Sequence, residues 1–73
     1  MIVTLEFFRE SPGECRVSIS IEKINIKGAD VAVKYARGAI DNTVFNGKMA
    51  DGCLIKSEKG VLICVVKRNA HRP

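Results

Sequence analysis

The chain has no tryptophan, one tyrosine and three phenylalanines in 73 residues. A platform that stacks nucleobases needs several aromatic rings, so base stacking is excluded as its main device. Its one histidine, His71, lies in the last stretch of the chain. General acid and base work most often uses histidine or paired carboxylates held in a pocket. Glu6 and Glu22 fall on wet strand faces, Glu10, Glu14, Asp51 and Glu58 fall in turns, and nothing in the linear order pairs them. The three cysteines, Cys15, Cys53 and Cys64, are odd in number, lack C-x-x-C spacing and form no cluster with histidine of the kind zinc requires. Each lies in a strand pattern, so the thiols read as reduced and buried rather than catalytic, bridged or metal-bound. No apolar run nears the roughly twenty residues that cross a bilayer. Asn46-Gly47-Lys48 matches only the end of a phosphate-binding loop, without its earlier glycine or its following Ser or Thr, and reads as a turn. Together these absences predict a protein that is not an enzyme, uses no cofactor or metal and has no membrane partner. Met1 leads directly into a strand pattern with no signal peptide, which predicts a cytoplasmic location.

What is present is globular composition, 47% hydrophobic and 27% charged, in a length that makes one domain covering residues 1–73. The net charge is +4, with acidic residues mixed among the basic ones. The one basic cluster is Lys67, Arg68, His71 and Arg72, and residues 68–73 read as a frayed basic tail.

Hydrophobic periodicity divides the chain into two hairpins around a helix. Met1 to Phe8 places Val3, Leu5 and Phe7 on one strand face, with Ile2 and Phe8 on the other. Ser11-Pro12-Gly13-Glu14 has the chemistry of a type II turn. Cys15 to Glu22 alternates strictly, with Cys15, Val17, Ile19 and Ile21 predicted inward, and then the parity flips to Ile24 and Ile26. This phase change predicts a β-bulge near Glu22 and Lys23. Gly28 to Thr43 has helical spacing, with Ala29, Val33, Ala36, Ile40 and Val44 as the predicted core stripe, Asp30 as N-cap and Asn42 as the stop. Phe45 to Gly52 reads as a loop that tucks Phe45 or Met49 against the core. Cys53 to Ser57 and Val61 to Lys67 form the second hairpin around Glu58-Lys59-Gly60. The predicted fold class is α+β, a four-stranded antiparallel sheet in ββαββ order with one helix packed on one face.

One helix covers one face of such a sheet, yet Val61-Leu62-Ile63-Cys64-Val65-Val66 is apolar at every position. Either Leu62, Cys64 and Val66 or Val61, Ile63 and Val65 must look outward. Leu62, Cys64 and Val66 are therefore candidate partner-binding residues. Val31 and Tyr35, on the helix face away from the core stripe, join them as candidates, although Tyr35 also fits a ring lying over the helix–sheet joint. In an alternative reading the basic residues Lys23, Lys27, Lys34, Arg37, Lys48, Lys67, Arg68 and Arg72 contact nucleic-acid phosphates, with strong dependence on salt.

Architecturally the chain resembles the small accessory proteins of phages and mobile elements. The run Ser11-Pro12-Gly13-Glu14-Cys15-Arg16-Val17-Ser18-Ile19, the alanine-rich helix from Ala29 to Ile40 and the closing Gly60 hairpin are similar to those of small anti-CRISPR proteins. This resemblance implies a non-enzymatic inhibitor or regulator that occupies a surface of a host protein or nucleoprotein complex. Such proteins share no transferable site, so no residue role follows from it. A homodimer is a further possible assembly.

Overall fold

A computed structural model describes residues 1–11, 15–45 and 47–68. Residues 12–14 of the predicted turn Ser11-Pro12-Gly13-Glu14, and the basic residues His71 and Arg72, lie outside the described residues. The elements are β1 (Ile2–Ser11), β2 (Cys15–Asn25), α1 (Ala29–Asn42), β3 (Val44–Phe45), β4 (Lys48–Met49), β5 (Gly52–Ser57) and β6 (Leu62–Lys67). Four strands form one antiparallel sheet in the order β2-β1-β5-β6, β3 and β4 form a separate small hairpin, and the fold is α+β as predicted. The segment Phe45 to Gly52, predicted as a loop, contributes to that small hairpin, which turns through Gly47 at φ 82°. Phe45 stacks on Phe7 with ring centroids 4.7 Å apart, whereas Met49 stays exposed.

The core lies between α1 and one sheet face. Val3, Leu5 and Phe7 of β1, Cys53 and Ile55 of β5, and Val66 of β6 meet Ala32, Ala36 and Ile40 of the helix. The stripe is thus Ala32, Ala36 and Ile40, flanked by half-buried Val33 and Ala39. Ala29, the first residue of the helix, and Val44, which lies beyond its end in β3, were predicted to extend the stripe and are both exposed. Two alanines in the contact row let the helix backbone approach the strands closely. Gly28 is the N-cap and makes no side-chain cap bond, so the predicted capping role of Asp30 is not realised; Asp30 instead places a negative charge in the first turn. At the other end Asn42 Nδ2 donates to the Gly38 carbonyl. The Arg68 guanidinium donates to the carbonyls of Ile40 at 2.9 Å and Ala50 at 2.7 Å. It thereby satisfies an acceptor at the helix C-terminus, where carbonyls lack partners within the helix. Arg68, placed by the sequence at the start of a frayed tail, is held by these bonds and by its own N–H to the Asp51 carbonyl.

Both hairpins contain a bulge that resets which residues face the helix. In the first, Phe7 pairs with Ser20 and Phe8 with Ser18, leaving Ile19 as the extra residue. The predicted phase change is present, but it lies at Ile19 rather than at Glu22 and Lys23. The shift exchanges two side chains: Glu22, opposite Leu5, turns to the helix side, and Ile21, opposite Glu6, turns to the open face. In the second hairpin, Ile55 pairs with Cys64 and Lys56 with Leu62, leaving Ile63 extra. Ser57 and Gly60 fix this turn. The Ser57 Oγ accepts the N–H groups of Lys59 and Val61, and Gly60 adopts φ 89°.

Candidate binding surface

Strand pairing specifies the open face row by row, because residues directly opposite in an antiparallel ladder share a face. The middle row runs Ile21, Glu6, Leu54, Val65. The next runs Lys23, Thr4, Lys56, Leu62. Within these rows Ile21 is 62% exposed, Leu62 52% and Val65 38%, with Ile2 exposed beyond them. Glu6 and Lys56 form an ion pair of 3.1 Å between them. The surface is therefore aliphatic at both sides of the sheet with a paired charge in the centre.

The other end of this face is closed. Phe8 belongs to it, opposite Ser18 and Gly52, yet is 1% exposed. Gly52 leaves the space for it: a Cβ there would overlap Phe8 Cζ and lie 2.8 Å from the Val66 carbonyl oxygen. The Arg16 guanidinium stands 4.8 Å from the Phe8 ring centroid, within cation–π range. The Glu10 carboxylate bridges Arg16 at 3.7 Å and Lys67 at 3.5 Å.

The partner-binding candidates separate. Of the two predicted triplets, Val61, Ile63 and Val65 are exposed at every member, whereas the candidate set Leu62, Cys64 and Val66 divides across the bulge at Ile63. Leu62 lies on the open face, Cys64 is half-buried against the core and Val66 is 2% exposed within it. Val66 is thus core packing rather than surface. Val31 and Tyr35 are exposed on α1, in the opposite layer from Leu62. The Tyr35 hydroxyl donates to the Glu22 carboxylate at 3.1 Å, so the ring spans the joint between helix and β2. This hydrogen bond, followed by the carboxylate charge, raises the Tyr35 pKa. Ile21, predicted inward, is the most exposed aliphatic residue in the middle row. Its signal in the sequence was the parity flip itself, which fixes that a bulge exists without fixing on which residue it falls.

The basic candidates are spread over the molecule. Lys34 and Arg37 lie on the helix, Lys48 on the small hairpin, Lys27 in the turn after β2, and Lys23 and Lys67 on the sheet. Lys67 is paired with Glu10 and Arg68 with backbone carbonyls; Arg72 lies outside the described residues. Of the thiols, Cys53 is fully buried, and desolvation pushes its pKa up to about 12, which keeps it protonated and unreactive at neutral pH. Among the described residues no three His, Cys, Asp or Glu side chains converge as a metal site, and no helix is long and apolar enough to cross a membrane. Comparison with protein-family models, curated proteins and solved structures gave no match.

Proposed function

We propose that this protein is a non-enzymatic binding module whose partner is a protein surface docked on the open sheet face. The carrying observation is the aliphatic set Ile2, Ile21, Leu62 and Val65 on that face, around the Glu6–Lys56 pair. Aliphatic residues interrupted by one compact ion pair suit a partner with an apolar patch and a matching polar spot, because apolar area drives association while the charges set its orientation. The resemblance to small anti-CRISPR proteins gives the partner class: a host nucleoprotein complex, inhibited or regulated by occupation of one of its protein surfaces.

Affinity capture from a host lysate, with and without nuclease, tests this reading using three baits. Wild-type protein is expected to retain a defined protein partner after nuclease treatment. Ile21→Lys is expected to lose it, and Lys34→Glu/Arg37→Glu, changed on the helix, to keep it. Capture that vanishes with nuclease, falls steeply with salt and depends on Lys34 and Arg37 but not on Ile21 would overturn the proposal in favour of phosphate contact.

A further inference from the structure

β6 ends the sheet order on one side, and the direction of its backbone groups is fixed by its pairing. The Arg68 N–H bonds the Asp51 carbonyl at 2.8 Å, and the register continues without interruption from Gly52–Lys67 to Ile55–Cys64. Inward- and outward-directed residues alternate along an antiparallel ladder. Val66 and Cys64 therefore direct their N–H and C=O groups toward β5, as Arg68 does, while Val65 and Lys67 direct theirs away. Among the described residues no strand lies beyond them. A row of this kind is satisfied by another extended chain.

We propose that β6 pairs antiparallel with β6 of a second copy of this chain, about a two-fold axis through Val65, joining two four-stranded sheets into one. Three conditions are met together at this register. Val65 faces its counterpart with outward N–H and C=O groups that exchange two hydrogen bonds. Side chains keep their faces: Val65 meets Val65 of the second copy on the open side, and Cys64 meets Val66 of the second copy on the helix side. Lys67, the one charged residue of β6, falls opposite Ile63 of the second copy rather than opposite its own counterpart, so like charges do not pair across the seam. An axis through Lys67, the next residue with outward-directed groups, would instead set the two lysines face to face. The other edge strand, β2, carries Arg16, Glu22 and Lys23 among its serines, the charged composition by which natural edges resist such pairing.

The area of the seam sets its strength. Six residues at about 3.3 Å each make an edge about 20 Å long, and two layers at about 10 Å each make it about 20 Å high. That is about 400 Å² per copy, half of the about 800 Å² per partner typical of a stable complex. The dimer belongs to the transient class, forming as concentration rises and dissociating on dilution. It does not rest on the proposed docking of a host partner.

Sedimentation velocity over a series from low micromolar to millimolar protein tests the pairing. The wild-type average mass is expected to climb from one chain toward two. Val65→Lys, which sets two like charges face to face at the axis, is expected to stay at one chain throughout while keeping the wild-type circular dichroism. Ile21→Lys, on the same face but at the opposite edge, is expected to dimerise as the wild type does. A wild-type protein that stays at one chain at millimolar concentration, a Val65→Lys variant that dimerises like the wild type, or an Ile21→Lys variant that fails to dimerise would overturn the proposal.

Discussion

The two ends of the open sheet face solve the same problem differently. At one end Phe8, a large apolar side chain on the side without a helix, is sealed by Gly52 beneath it, the Arg16 guanidinium over it and the Glu10 bridge to Lys67. At the other, Ile21, Leu62 and Val65 are left in solvent around a single ion pair. Both ends belong to the same four strands and lack a covering helix. The contrast shows that a two-layer fold of this size can close its open face with charged side chains, since the stems of Arg and Lys cover apolar surface while their heads stay in water. The uncovered end is therefore not a consequence of having one helix.

Substitutions at the two ends sharpen or break this contrast, and thermal or denaturant unfolding reads all of them. Phe8→Ala is expected to have the largest effect, destabilising by about 3–5 kcal/mol, because it empties a sealed site. Val66→Ala, on the core side of β6, should cost about 1.5–3 kcal/mol, while Val65→Ala beside it should cost far less. Gly52→Ala should cost about 1–3 kcal/mol, since the new methyl group overlaps Phe8 and the backbone at Val66 holds one side of the space. Arg16→Ala removes an exposed cation from the Phe8 ring and should cost about 0.5–1 kcal/mol. Ile21→Ser should change stability by no more than about 0.5 kcal/mol in either direction. An Ile21→Ser cost as large as that of Phe8→Ala would erase the distinction between the two ends.

Element order, sheet class and the helix were legible in the sequence because they follow from periods of two and 3.6 and from glycine-bearing turns. The face of individual residues was less so. A bulge is marked by a parity flip, and the flip after Glu22 is visible, but the slip occurs three residues earlier, beside the adjacent aromatics Phe7 and Phe8, which are buried on opposite faces of β1. That is a demand of tertiary packing, and it turns Ile21 outward against its local pattern. In β6 no flip is visible, because every residue from Val61 to Val66 is apolar; only the pairing with β5 separates Leu62 and Val65 from Cys64 and Val66. The Phe8 seal was equally hidden, since Arg16, Gly52 and Lys67 are distant in sequence and meet only when β1 stands between β2 and β5.

Solution NMR with a soluble paramagnetic agent tests the central claim most directly, by reading how far each side chain is open to solvent. The methyl groups of Ile21 and Leu62 are expected to show strong relaxation enhancement, while the Phe8 ring and the methyls of Val3 and Val66 show little. Protection of Ile21 and Leu62 equal to that of Val3 at a dilution where the protein is monomeric would contradict the account, because those residues would then be core rather than surface.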